Sequence, residues 1–151
     1  MEPAPAIAIL PFQPENQAAV KDLVLAGLTG HWGTLDPDKN PDLNDIQETY
    51  ASAIFLVAWH QNRIVGTGAL IPGPDHTAEI VRMSVAAEMR RKGIGRMILQ
   101  ELCASARSGG VRRLVLETTD TWHEVIAFYQ RFGFQITHYS NGDVYFALDL
   151  L

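Results

Sequence analysis

The sequence predicts an α/β (α+β) chain built on one mixed, mostly antiparallel sheet of about seven strands, with about four helices on its two faces. Three observations carry this. Short apolar runs of strand length alternate with longer stretches whose apolar residues recur every three or four positions. Two pairs of strand-like runs are joined by turn chemistry, at Gln61-Asn62 and at Ser140-Asn141-Gly142-Asp143, which predicts antiparallel hairpins. One further passage reads strand, helix, strand, a βαβ-like crossover.

Ala6 to Phe12 alternates loosely and reads as the first strand. Pro14 and Glu15 open a helix whose stripe is Val20, Leu23, Val24, Gly27 and Leu28. Gly30 to Pro41 is rich in Gly, Pro, Asp and Asn and reads as an irregular loop. After Asn40-Pro41-Asp42, the residues Leu43, Ile46 and Tyr50 mark a short second helix. Ile54 to Trp59 and Arg63 to Ile71 form a hairpin, and Pro72 to Asp75 breaks the chain. Thr77 to Val85 is the fourth strand. Gly93 to Ser108 is a helix ended by Gly109-Gly110. Arg113 to Thr118 is the fifth strand. Val125, Phe128, Tyr129 and Phe132 mark the last helix, closed by Gly133. Phe134 to Tyr139 and Val144 to Leu150 are the last two strands, and the latter, apolar and terminal, is expected at a sheet edge. The order is expected to form a single domain over residues 1–151.

Nothing in the composition points away from a globular protein: 47% of residues are hydrophobic and 19% charged. The net charge of −5 disfavours a nucleic-acid partner, which needs a basic surface. No apolar run approaches the roughly 18 residues of a membrane-spanning helix, and the first ten residues lack a signal-peptide pattern. A cytoplasmic protein without membrane attachment is the expectation. The single cysteine, Cys103, lies in a helical apolar pattern and reads as a core thiol. The histidines His31, His60, His76, His123 and His138 have no metal-ligand spacing, so no metal is expected.

The chemistry concentrates in the loop between the fourth strand and its helix, Met89-Arg90-Arg91-Lys92-Gly93-Ile94-Gly95-Arg96. A helix N-terminus carries unpaired N–H groups and partial positive charge. Glycines let a pyrophosphate approach that backbone, and the cationic side chains add charge-assisted contacts. The loop lacks the P-loop pattern, and a dinucleotide fingerprint would need glycine where Ile98 stands. Arg90-x-x-Gly93-x-Gly95 instead resembles the Gln/Arg-x-x-Gly-x-Gly/Ala signature of the GNAT superfamily of acyl-CoA-dependent N-acetyltransferases. A second segment is similar to that family's next motif: Leu116-Glu117-Thr118-Thr119 ends a strand, and Ala127 to Phe134 places a helix Tyr before a closing Gly-Phe. The resemblance covers the C-terminal two-thirds and extends to the hairpin Ile54 to Ile71. There are departures. Where many relatives have Asn near the coenzyme, this chain has Trp122 followed by His123, and the usual small residue after the loop's first Arg is Arg91.

The resemblance implies acetyl-CoA as co-substrate. Its pyrophosphate would lie on Arg90, Arg91, Lys92, Gly93, Ile94, Gly95 and Arg96, its pantetheine arm along Met83, Ser84 and Val85, with His123 close by. It also implies direct transfer to a primary amine, small or peptidic. Such an amine must be neutral to attack, so the site needs a proton acceptor. Tyr129 matches the family's general acid. Glu79 is the candidate base, Glu117 the reserve, and His123 a third option. Backbone N–H groups near Met83 to Val85 are candidates to stabilise the developing oxyanion. Trp32 and Trp122 are candidate pocket aromatics. A protein lysine or N-terminal acetyltransferase, or a catalytically silent coenzyme A-binding module, fits the same motifs. The apolar last strand leads to the expectation of a homodimer.

Overall fold

The computed structural model describes residues 6–33 and 40–150. Its strands are β1 (Ala8–Pro11), β2 (Ile54–His60), β3 (Arg63–Pro72), β4 (Thr77–Val85), β5 (Arg113–Thr119), β6 (Gln135–Ser140) and β7 (Asp143–Asp149). Its helices are α1 (Gln17–Trp32), α2 (Ile46–Thr49), α3 (Ile94–Ser108) and α4 (His123–Phe132). Three 3-10 turns, Pro14–Asn16, Pro41–Asn44 and Ala87–Met89, connect them. The strands form one seven-stranded sheet in the order β1-β2-β3-β4-β5-β7-β6. Every pairing is antiparallel except β4 with β5. The mixed, mostly antiparallel sheet with four helices is the one the sequence predicts.

Turn chemistry explains the hairpins. Gln61 and Asn62 both have positive φ (50° and 65°), as do Asn141 and Gly142 (51° and 84°), which matches the right-handed twist of the joined strands. Two glycines on β3 let α3 lie close to the sheet. A Cβ on Gly68 would stand 2.6 Å from both Ile98 Cγ2 and Met83 Sδ, and one on Gly66 would stand 3.0 Å from Ile98 Cδ1. Ile98, Leu99 and Leu102 of α3 are fully buried there, beside Leu114, Val144 and Phe146 of the sheet. The opposite face carries a second apolar cluster, with Val20 and Val24 of α1, Leu43, and Ile46 of α2 packed on Phe55, Val57 and Ala69. Cys103 is buried within the α3 layer, and burial pushes its thiol up, in keeping with a core role.

Three sequence expectations are corrected. The helix α1 does not stop at Gly30. It runs to Trp32 and ends at Gly33, whose φ of 78° and N–H donating to Thr29 O at 2.8 Å supply the turn that helix ends require. Phe134 precedes β6 instead of opening it. Its N–H donates to Tyr129 O at 3.0 Å, closing α4 around Gly133, and its ring is buried. Most consequentially, β7 is not an edge strand: it lies between β5 and β6 and is paired along both sides. The edges are β1 and β6, so the premise for a homodimer through the last strand fails. Its apolar residues serve the interior. Of the loop expected from Gly30 to Pro41, residues 34–39 lie outside the described residues.

Candidate active site

The site begins where the sheet opens. β4 and β5 pair in parallel only through Thr77↔Arg113, Ala78↔Leu114 and Glu79↔Val115. Beyond Glu79, β4 remains paired with β3 while β5 follows β7, so alternate backbone groups on the far half of β4 face a gap. A bulge in β4 widens the departure: Gly66↔Val85 and Thr67↔Ser84 lie one register from Ala69↔Val81. Arg82, at the bulge, has φ of 55°. Met83, Ser84 and Val85 therefore lie on the part of β4 that lacks a partner on one side, the place expected for the pantetheine arm.

The chain passes from β4 through the Ala87–Met89 turn to the start of α3. Gly93 is the N-cap with φ of 83°, no side chain caps the helix, and no acidic residue stands in its first turn. An ordinary helix start supplies a Ser, Thr, Asp or Asn oxygen there. Here the first N–H groups are left to another acceptor, and the space a Cβ on Gly93 would enter is open. Gly95 serves a different purpose: a Cβ there would come within 3.2 Å of Phe128 Cζ, so it lets α4 pack against α3. Ile94 is buried, so any part it takes in binding is through its N–H.

The four cations of the loop are not equivalent. Arg90 folds back, its Nε donating to Val85 O at 3.3 Å. Arg91 lies 3.8 Å from Glu124 with both side chains almost fully exposed, a contact of little energy. Arg96 sits over the Phe132 ring at 5.8 Å. Lys92 is exposed on the same loop. His123, also exposed, is the first residue of α4, after the half-buried Trp122.

Tyr129 is almost wholly buried, its ring against Phe128, Phe134 and Phe146 with centroids 5.3 to 5.7 Å apart. Burial pushes its phenol well above the usual value, so it holds its proton.

Glu79 projects from the face that carries α1 and α2. It lines a pocket of about 380 Å³ with Asp42, Tyr50, Ile71, Ile80, Val81, Arg82 and Glu117. Burial first, and then the neighbouring charge of Glu117, raise its carboxyl above the ordinary value. Glu117 pairs across the sheet with Tyr145, whose phenol it pushes up, chiefly as a hydrogen-bond acceptor. Tyr145 in turn stacks on His138 with centroids 4.3 Å apart. The pocket thus brings together Glu79 and Glu117. The residues that sequence reasoning missed are Arg82, Asp42, Tyr50 and Thr67. Only the polar character of the first three was visible, and nothing local announces a bulge. The side chain of Trp32 lies outside the described residues. Among those residues no group of three or more His, Cys, Asp or Glu is placed to hold a metal, and no helix is long and apolar enough to cross a membrane.

Comparison with known proteins identifies the family and the fold. The sequence pattern of the acetyltransferase (GNAT) family matches residues 17–134. An IAA acetyltransferase of Azospirillum brasilense is 33% identical over 132 residues, spanning 86% of this chain and 85% of that protein. Probable N-acetyltransferase 14 of Xenopus tropicalis is 33% identical over 103 residues, 66% of this chain but only 50% of its own length. The chain spans about half the length of the vertebrate relatives it matches. Among solved structures, a GNAT acetyltransferase of Staphylococcus aureus Mu50 superposes with a TM-score of 0.89 at 21% identity, covering 97% of this chain and 100% of that one. The PaiA N-acetyltransferase of Thermoplasma acidophilum, solved with coenzyme A, superposes with a TM-score of 0.84 at 18% identity, covering 96% and 99%. At those identities the superpositions establish a shared fold.

Proposed function

The chain belongs to the acetyltransferase (GNAT) family, and on that premise we propose that it is an acyl-CoA-dependent N-acetyltransferase, moving the acetyl group of acetyl-CoA directly to a primary amine. The observation that carries this reading is the uncapped, acid-free start of α3 with Gly93 in the left-handed region, directly following the unpaired half of β4. Those are the features a pyrophosphate and a pantetheine amide need: N–H donors with no internal acceptor, and a strand edge offering both donors and acceptors.

The chain's residues divide the chemistry as follows. Glu79, raised by burial and by Glu117, is placed to take a proton from the ammonium or from an intervening water. The freed amine attacks the thioester carbonyl. Backbone N–H groups of Met83 to Val85 supply the donors for the oxyanion that forms. As the carbon–sulfur bond breaks, the thiolate leaves. Tyr129, kept neutral by burial, donates a hydrogen bond to that sulfur. The nitrogen loses two protons in all: the one taken by Glu79 passes on to solvent, and the one lost after attack balances the proton gained by the coenzyme thiol. Neither Glu79 nor Glu117 has an ion-pair partner among the described residues, so the pocket favours a cationic acceptor.

The test is calorimetric titration with acetyl-CoA, followed by thiol release with benzylamine, putrescine, lysine amide and an alanine-initiated peptide. Micromolar binding and turnover of the small amines support the reading. Turnover of the peptide alone points to a protein acetyltransferase, binding without any turnover points to a coenzyme A-binding module, and no binding refutes the proposal.

A further inference from the structure

Arg82 is held in an uncommon position by contacts on both its main chain and its side chain. Its φ of 55° puts a bulky residue in the left-handed region, inside a strand, which persists only where the surroundings impose it. Thr67 Oγ1 donates to Arg82 O at 2.7 Å, and Thr67 is fully buried. The guanidinium meets Asp42 as a fork, Nε to Oδ2 at 2.8 Å and Nη2 to Oδ1 at 2.6 Å. Nη2 also donates to Asn40 Oδ1 at 3.1 Å. Asp42 Oδ2 accepts a second bond, from the Tyr50 hydroxyl at 2.6 Å.

These contacts reach across the chain to the segment from Asn40 to Tyr50. That segment is tied to α1 at its middle, where Gln17 Nε2 donates to Leu43 O and Gln17 Oε1 accepts from Ile46 N. Arg82 holds its start directly, through Asn40 and Asp42, and its end through the bond from Tyr50 to Asp42. Its fork geometry matters, because a bidentate guanidinium–carboxylate pair sets both distance and orientation where an ammonium sets only distance. Although burial opposes it, the bonds from Arg82 and Tyr50 hold the Asp42 carboxyl below its ordinary value. Burial and the bond to Asp42 push the Tyr50 phenol up to about 12. Both groups thus keep one protonation state through the physiological range. Asp42, Tyr50 and Arg82 line the same pocket as Glu79 and Glu117. Three of the five guanidinium N–H groups, those on Nε and Nη2, are committed to Asp42 and Asn40, so Arg82 holds one wall of that pocket.

We infer that Arg82 is a positioning residue for the acceptor: its side chain fixes Asp42 and Tyr50 as one wall of the pocket, and that wall sets the orientation in which an amine meets Glu79. The inference rests on the acetyl-transfer reading. It separates the two roles of Arg82, because glycine adopts a φ of 55° without strain. Arg82→Gly keeps the bulge and deletes the fork. Asp42→Asn keeps Arg82 and the side-chain shape at position 42 but removes the charge and one of the two acceptor oxygens.

The experiment measures three quantities in the parent, Arg82→Gly and Asp42→Asn: acetyl-CoA affinity by calorimetry, kcat and KM for whichever of benzylamine, putrescine, lysine amide or the peptide the parent uses best, and hydrogen exchange over residues 40–50. The expected result is a fall of about tenfold or more in amine kcat/KM in Arg82→Gly, smaller in Asp42→Asn. Acetyl-CoA affinity stays within about twofold, and exchange over 40–50 accelerates. Amine kinetics unchanged in both variants would overturn the inference. So would a fall in amine kinetics matched by an equal loss of acetyl-CoA affinity, which marks a general loosening. No acetyl-CoA binding, or no turnover of any amine, by the parent itself would remove the acetyl-transfer reading and this inference with it.

Discussion

Substitution at Gly93 separates backbone strain from charge. Gly93 has φ of 83° and nothing within 4 Å of where a Cβ would stand, so Gly93→Ala meets no clash. Its cost is the left-handed conformation alone, about 1–2 kcal/mol. For a chain of this size, each kcal/mol moves the melting temperature by about 2–4 °C, so Gly93→Ala melts roughly 2–8 °C below the parent. Acetyl-CoA affinity should fall by no more than about threefold if the backbone holds its course. Gly93→Glu carries the same strain but adds a carboxylate at a helix start with no acid of its own. That charge favours the helix by about 0.3–1 kcal/mol, so the Glu variant melts at or slightly above the Ala variant. For a bound pyrophosphate the sign reverses. Like charges about 4 Å apart repel by about 1–4 kcal/mol between fully aqueous and surface conditions, and 1.4 kcal/mol is tenfold in affinity. The added carboxylate also occupies the N–H groups that phosphate oxygens need. Gly93→Glu should therefore bind acetyl-CoA at least about fivefold more weakly than Gly93→Ala while melting no lower. Calorimetry and thermal unfolding on the three proteins read both quantities. A folded Glu variant that binds as well as the Ala variant would refute the placement of the pyrophosphate at the start of α3.

The other predictions concern the pocket and the core. Tyr129→Phe should lower kcat by about a hundredfold while leaving acetyl-CoA affinity within about twofold, and an unchanged kcat would remove the donor role. Glu79→Gln should abolish most amine turnover at neutral pH and yet raise the melting temperature. The parent's carboxyl is raised above its ordinary 4.5, so the folded state binds more protons than the unfolded one as pH rises from 4.5 to the folded value. Stability is lost across that interval and stays lost above it. The advantage of the Gln variant should thus appear above pH 4.5 and vanish below it, and a constant difference across pH would contradict the assignment. Gly68→Ala places a Cβ 2.6 Å from Ile98 Cγ2 and Met83 Sδ, and should cost about 1–3 kcal/mol because Ile98 is fully buried and cannot yield. Denaturant unfolding reads that cost, and a midpoint equal to the parent's would mean α3 shifts freely on β3.

How much of this was legible in the sequence follows from how far apart the cooperating residues stand. The hairpin turns were legible because Gln61-Asn62 and Asn141-Gly142 set their own backbone. So was the phosphate-type loop, where Gly93 and the absence of an acid are local facts. The end of α1 was misplaced by a few residues because Gly30 and Gly33 both suit a helix terminus, and only the bond from Gly33 N to Thr29 O chooses between them. The edge position given to the last strand failed for a different reason. An apolar terminal strand reads the same whether it lies at an edge or between β5 and β6, and pairing on both sides is a long-range fact.

The bulge at Arg82 was invisible on the same principle. It is set by the register of β3 against β4 and by contacts with Thr67 and Asp42, none of which a local window contains. The two halves of the candidate site differ in this respect. The proposed coenzyme cradle is nearly contiguous, from Met83 to Arg96, so a short motif can carry it from one relative to another. The proposed acceptor pocket is assembled from residues 42, 50, 79, 82 and 117, which come together only in the folded sheet. Family membership therefore transmits the donor chemistry, while on the proposed reading the choice of amine falls to side chains such as Tyr50 and Arg82 that no motif describes. The variants most informative about substrate are accordingly those on the Asp42–Arg82 wall, since changes in the loop at Gly93 test a feature that relatives with different acceptors can share.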